Sequence, residues 1–176
     1  NSIWVETEKL PEFPTLEGST KTDVLIIGGG IAGILCAYFL QEKGVDYMLV
    51  ERNTICSGIT KNTTAKITSQ HGLIYDRLYK SAGFEIARKY LEVNQSSVRK
   101  YLDIGKSIDC NMEIKPSFVY SINGREKLEK EAEALRKIGF CADITETTEL
   151  PFSIAGAIRF DDQAQFHPFK FLSQIS

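Results

Sequence analysis

Histidine is scarce in this chain, with two in 176 residues, so a cluster of His and Cys ligands for zinc or for an iron–sulfur centre cannot be assembled from it alone. The four cysteines, Cys36, Cys56, Cys110 and Cys141, contain no C-x-x-C pair. Scattered thiols without a framework suit a reducing, cytoplasmic setting, and Cys36, inside an apolar run, is read as a small buried hydrophobe. Charge of either sign is nearly absent in excess: the net value of −2 supplies no field to attract nucleic acid or an anionic membrane, and neither is expected as a partner. No apolar stretch approaches the ~20 residues of a bilayer span, and the acidic, polar start has no secretory pattern. What is present, 43% hydrophobic and 25% charged residues, is the composition of an ordinary globular protein with one sizeable core or one and a half small ones.

The informative stretch runs from Asp23 to Glu51. Val24 to Ile27 form a short apolar, mostly β-branched run, as expected of a parallel strand buried on both faces. Three glycines follow at the spacing of a dinucleotide turn. Gly28 allows the sharp turn, Gly30 lets the backbone approach a pyrophosphate, and Gly33 lets the next helix pack closely on the strand. Phosphates then meet free N–H groups at the helix N-terminus. Ile34, Leu35, Tyr38, Phe39 and Leu40 recur at helical spacing, and Gly44 suits the helix end. Tyr47 to Val50 make a second strand closed by Glu51, 18 residues past Gly33, where a carboxylate can accept both hydroxyls of an adenosine ribose. Strand, turn, helix, strand and acid together supply the context that a glycine triplet alone lacks.

Arg52 to Gln70 is a long run of small and hydroxylated residues, too polar for a core strand. Loops of this length in compact domains are usually functional, and hydroxyls with close backbone N–H groups can bond phosphate or a polar ring edge. A solvated Ser/Thr loop is the competing interpretation.

Ser2-Ile3-Trp4, the Gly28 to Gly33 turn, the pair Glu51-Arg52 and the segment Asn62 to Tyr75 resemble the flavin-dependent amine and amino-acid oxidoreductases of the glycine and D-amino-acid oxidase superfamily. Within it the resemblance is greatest to a bacterial branch with a C-terminal Rieske domain. The resemblance implies non-covalent FAD, with Gly28, Gly30, Ile31, Ala32, Gly33, Glu51 and Arg52 around its ADP half. It further implies that Ser57, Gly58, Thr60, Thr63, Thr64 and Ala65 run along the pyrophosphate and ribityl chain towards the flavin ring. Lys61 departs from the small residue expected there. The stretch where some members carry a flavin-linking histidine offers Asn62 and Thr63 here, and His71 is read as a polar loop neighbour. The implied chemistry is hydride transfer from the carbon beside a substrate nitrogen, in an amine or amino acid, to the flavin. No catalytic residue is assigned. Two alternatives stay open: a non-catalytic module that holds FAD, NAD or ADP, and an NAD(P)-dependent dehydrogenase.

The expected fold class is α/β, a Rossmann-like unit followed by the start of a mixed α/β substrate region. Residues 1–22 are read as an arm without regular structure, broken by Pro11, Pro14 and Gly18, with Trp4, Leu10, Phe13 and Leu16 as surface anchors. Residues 23–105 form the cofactor segment, closed by a helix from Leu73 to Gly105 whose buried face carries Ala87, Tyr90, Leu91, Asn94, Val98, Tyr101 and Leu102. Residues 106–176 open the substrate region. There Ile114, Pro116, Phe118, Tyr120 and Ile122 alternate as the buried face of a strand that Pro116 restricts to an edge or a bulge. Next come a helix with the stripe Leu128, Ala132, Leu135 and Ile138, short strands over Phe140 to Ile144 and Ile154 to Phe160, and a last helix opened by Pro168. Two parallel strands are too few for a doubly wound sheet, and no segment returning to the cofactor unit is discerned. The expectation is therefore an N-terminal portion of a longer protein that does not turn over substrate alone and self-associates through its incomplete sheet.

Overall fold

The computed structural model describes residues 2–176. In chain order the elements are α1 (Ile3–Thr7), β1 (Val24–Ile27), α2 (Ile31–Glu42), β2 (Tyr47–Val50), a 3-10 turn (Ile59–Asn62), β3 (Lys66–Ile67), α3 (Tyr75–Gly105), β4 (Glu113–Ser121), α4 (Glu126–Lys137), β5 (Ile144–Thr145), β6 (Gly156–Gln165) and α5 (Pro168–Ile175). They form two compact units. One comprises residues 1–65, 105–112 and 166–176; the other comprises 66–104 and 113–165. These spans differ from the 23–105 and 106–176 segments drawn from the sequence, because the chain comes back to the first unit twice. The returning residues 105–112 and 166–176 add a helix to the first unit but no strand to its sheet, which stays two-stranded. Among the described residues, no helix is long and apolar enough to cross a membrane.

In the first unit β1 and β2 pair in parallel, with Val24 opposite Tyr47 and Ile27 opposite Val50. α2 is their crossover helix. It stops where Gly44, at φ +66°, takes the left-handed conformation, with the N–H of Gly44 on the carbonyl of Gln41 and that of Val45 on the carbonyl of Leu40. The strand expected to be buried on both faces is not: Leu25 and Ile27 are 54% and 82% exposed, since only one face of this two-stranded sheet carries a helix of the unit. Cys36 is also exposed rather than buried. Ile34 and Ala37 turn inward, and position 36 lies about 100° round the helix from 37.

The arm contains one short helix where none was expected. The Ser2 side chain accepts the N–H of Trp4 and so caps α1. Trp4 and Leu10 are half-buried, whereas Phe13 and Leu16 are exposed and anchor nothing. α5 packs on α1, α2 and the 3-10 turn. Its inward residues Phe169, Phe171, Leu172 and Ile175 are buried.

The second unit is an antiparallel sheet in which β6 pairs with β3, β4 and β5, covered by α3 and α4. The predicted stripe Leu128, Ala132, Leu135 and Ile138 is buried against Tyr75, Leu91, Ile158 and Phe160. α3 starts at Tyr75 and is broken at Gly83 (φ 82°, ψ 176°), so the long helix read from the sequence is two stretches. Its start is capped from outside: the buried carboxylate of Glu131 on α4 accepts the N–H groups of Tyr75 (2.8 Å) and Asp76 (2.7 Å). The register of β4 shifts between Lys115 and Ser117, which is the bulge expected at Pro116. Ile114, Tyr120 and Ile122, expected to be buried, are exposed. Of the strand expected over Phe140 to Ile144 only Ile144 pairs with β6, together with Thr145 beyond it, while the Phe140 ring packs 4.7 Å from that of Phe160. β6 continues five residues past Phe160, to Gln165. There Gln163 is buried, its Oε1 accepting the N–H of Ser69 at 2.7 Å.

Candidate functional site

The site is built where β1 gives way to α2. Gly28 stands at φ +112°, a conformation that residues with a Cβ rarely adopt, while its N–H still bonds the carbonyl of Val50 at 2.8 Å. A Cβ on Gly33 would overlap the carbonyl oxygen of Gly28 and lie 3.4 Å from Ile26 Cγ2. Gly29 is equally confined, since a Cβ there would come within 2.8 Å of Ile55 Cγ2 and 3.0 Å of Glu51 Cβ. Gly30 is different. It is extended (φ −83°, ψ −179°), and a Cβ would meet only Thr60 Oγ1, at 3.4 Å. The fold therefore demands glycine at 28, 29 and 33 but makes no such demand at 30.

Gly30 is the cap of α2 and has no side chain to offer, so the positive end of a 12-residue helix opens on the site without a side-chain acceptor from its own cap. One hydrogen bond comes from the loop. Thr60, buried within the 3-10 turn, accepts the N–H of Ile31 at 3.2 Å.

Glu51, at the end of β2, is fixed by two backbone donors: Asn53 N–H to Oε1 (3.0 Å) and Gly29 N–H to Oε2 (2.8 Å). The Asn53 and Gly29 N–H groups hold its carboxyl below the usual carboxylate range. The same loop turns under the glycines, where the N–H of Cys56 donates to the carbonyl of Gly29 at 2.8 Å. Burial, and secondarily the Glu51 charge, push the Cys56 thiol up to about 11, so it is a neutral wall group and not a thiolate nucleophile at neutral pH.

Together these elements enclose a cleft of about 470 Å³. It brings together Gly30, Ile31, Ala32, Glu51, Arg52, Ser57, Gly58, Thr60 and Thr63 of the sequence-derived set. Gly28 and Gly33 shape the turn without lining the cleft; Thr64 is exposed and Ala65 buried, and neither lines it. Lys61, the departure noted in the loop, is half-buried in the 3-10 turn. His71 belongs to the second unit, where its Nδ1 is 2.8 Å from the Tyr90 hydroxyl.

Sequence reasoning missed Asn53, Cys56 and Ile59 in the lining and Gly29 beneath it. Asn53 acts through its backbone, which leaves no side-chain signature. Gly29 could have been found as the middle of an unbroken glycine triplet beside a β-branched Ile55. The arrangement fits the phosphate-bearing half of a dinucleotide: a helix N-terminus free of a side chain on its cap, a glycine left open by the fold, and a carboxylate fixed across the cleft.

The family described as FAD dependent oxidoreductase (DAO) matches residues 23–175. The chain belongs to that family. YhfW of Bacillus subtilis (strain 168), named as a Rieske 2Fe-2S iron-sulfur protein, is 37% identical over 178 residues, covering 99% of this chain and 35% of its own. Gamma-glutamylputrescine oxidoreductase of Escherichia coli (strain K12) is 31% identical over 80 residues, 46% of this chain and 19% of that protein. Among solved structures, L-proline dehydrogenase from P. horikoshii superposes with a TM-score of 0.70 at 18% identity, covering 88% of this chain and 40% of that one. Glycine oxidase from Geobacillus kaustophilus gives 0.58 at 18% identity, over 88% and 43%. These structural likenesses bear out the α/β class and the FAD-oxidoreductase fold. The expected resemblance to the Rieske-bearing branch is matched by YhfW, of whose length this chain spans about a third.

Proposed function

We propose that this chain is the cofactor-binding portion of an FAD-dependent oxidoreductase that oxidises the C–N bond of an amine or amino acid, holding FAD without a covalent link. The observation that carries the proposal is Gly30. Its lack of a side chain answers no packing need of the fold, yet it lies at the open N-terminus of α2 with Glu51 across the cleft. Space kept there is explained by a group that must approach the backbone closely. Family membership supports FAD over nicotinamide, and the names of the relatives that act on amino acids and on a glutamylated polyamine support the substrate class.

Each residue then has a task. The N–H groups of the first turn of α2 receive the diphosphate, and the Thr60 hydroxyl, which accepts from Ile31, keeps its own proton for a phosphate oxygen. Glu51 is anchored through one lone pair on each oxygen, so the remaining pairs are available to ribose hydroxyls. Arg52 also lines the cleft. When bound, the flavin supplies the hydride acceptor; the part of the protein described here binds and orients it.

The test is a protein carrying this chain at the length of its relatives, purified and examined by absorption spectroscopy. It should be yellow, release flavin on acid or heat treatment, and be bleached anaerobically by one of a panel of amines and amino acids without added NAD. A colourless protein that binds NADH would refute the proposal, and a yellow one that no amine or amino acid reduces would refute its substrate class.

A further inference from the structure

Among the described residues, the Trp4 side chain joins the N-terminal arm to the cofactor cleft. Trp4 Nε1–H donates to the carbonyl oxygen of Thr63 at 2.9 Å, and Thr63 both lines the cleft and ends the 3-10 turn, its N–H on the carbonyl of Thr60. Thr60 in turn accepts the N–H of Ile31 at the start of α2. On its other side the Trp4 ring stands edge-on to the His167 imidazole, with centroids 5.1 Å apart and planes at 72°. His167 is held in one form: Nδ1 accepts the N–H of Lys170 at the start of α5. Nε2 lies 2.9 Å from Thr7 Oγ1, whose own proton goes to the carbonyl of Ile3. The proton therefore resides on Nε2, and the imidazole ties α1 to α5.

Neither partner in this junction is held firmly by burial. α1 has no buried residue, so its position depends on Trp4, Thr7 and the packing of α1 on α5. The loop from Ser57 to Ala65 buries only Thr60 and Ala65 and leaves Ile59 89% exposed. Cys56 and Ala65, at the two ends of the loop, stand at φ 57° and 58°, a region that non-glycine residues occupy only under constraint. A loop with so little burial and such backbone does not keep its shape from internal packing alone.

We infer that Trp4 is a positioning residue for the cofactor: the arm acts as a clasp that keeps the Ser57 to Ala65 loop closed along the cleft, and so governs how fast bound FAD leaves. The inference rests on the FAD reading above and goes beyond it, because residues 1–22 lie outside the span that matches the family.

Trp4→Phe keeps an aromatic ring for His167 and removes the N–H together with the five-membered ring, and Thr7→Val independently removes the hydroxyl that fastens His167. A protein carrying this chain at the length of its relatives, loaded with FAD, is diluted far below its FAD loading concentration, and flavin release is followed by fluorescence. Hydrogen exchange of the FAD-free chain is measured in parallel. Loss of one neutral hydrogen bond should speed release about fivefold in Trp4→Phe, and Thr7→Val should act in the same direction. In both variants exchange should quicken in peptides from 57–65 and stay unchanged in α4. Release and loop exchange at parental rates in either variant would overturn the clasp while leaving the FAD reading intact, even if the melting temperature fell. A parent protein of that length that takes up no FAD would instead overturn the FAD reading, and the clasp with it.

Discussion

Exchanging alanine for glycine at positions 30 and 33 separates what the fold needs from what the cofactor needs. At Gly33 the added methyl overlaps a backbone oxygen, that of Gly28, and no rotamer change can relieve it. Either β1 and α2 move apart or the turn is rebuilt, and overpacking of this kind costs about 1–3 kcal/mol, or more where backbone must shift. At Gly30 the methyl meets a single side-chain oxygen at 3.4 Å, and the φ and ψ suit any residue. Alanine is a poorer helix cap than glycine by less than about 1 kcal/mol, while the stiffer unfolded chain returns roughly 0.4–1 kcal/mol. Gly30→Ala should therefore melt close to the parent. Its effect falls on the ligand. The methyl holds the diphosphate off the first turn of α2, and breaking one charge-assisted N–H bond to phosphate costs about 1.5–3 kcal/mol, so FAD affinity should fall at least about tenfold. Gly30→Val, with two more carbons in the same space, should abolish binding at unchanged helix content. Circular-dichroism melts and flavin fluorescence titrations read the two effects separately. A Gly30→Ala protein that binds FAD with parental affinity, or a Gly33→Ala protein as stable as the parent, would refute the division of roles.

Glu51→Gln should weaken FAD binding by about tenfold, because an amide retains one acceptor and loses the charge-assisted bond; isothermal titration against ADP as well as FAD localises the loss to the ribose end. Stability should depend on His167. Burial, and then the nearby Lys170, lower its pKa from the usual 6.5, so the unfolded chain binds the proton more readily. The stabilisation is present above about 6.5 and is lost as pH falls from there through the folded value. In urea titrations from pH 5 to 7, His167→Asn, which keeps an acceptor at the α5 cap, should show a shallower pH slope than the parent. Equal slopes would remove His167 from the account. Finally, the 176-residue chain should self-associate through β1, where Leu25 and Ile27 are 54% and 82% exposed. Light scattering after size exclusion should give a smaller mass for Ile27→Lys than for the parent, and equal masses would place the association elsewhere.

The β1–α2–β2 unit was legible in the sequence because strand period, glycine spacing and terminal acid each report on the same local geometry. The α4 stripe was legible for a similar reason, its 3.6-residue period being set by one helix facing one core. Long-range events were less readable. Nothing local marks Glu131 as the cap of α3, since its partners Tyr75 and Asp76 lie far away in sequence. The alternation of Ile114, Tyr120 and Ile122 was read correctly as a strand but wrongly as burial, because periodicity shows that one face is apolar and not what covers it. β6 outran its expected end at Phe160 because Asp161, Asp162 and Gln163 break the apolar pattern, while Gln163 is buried through its hydrogen bonds. At the site, side-chain chemistry was visible, and backbone donors such as those of Gly29 and Asn53 were not.

The two returns of the chain to the first unit set an order on synthesis. α2 and α5 are packed together although residues 31–42 leave the ribosome long before residues 168–175. Elongation at about 5–20 residues per second puts several seconds between them. During that interval the glycine turn exists without the helix that will support the 3-10 turn and the arm. The second unit, whose segments 66–104 and 113–165 are all translated before α5, has every part it needs to condense first. α5 then supports the 3-10 turn that lines the cleft, so nascent chains that stop before α5, which begins at Pro168, should hold a nucleotide less tightly than chains that include it.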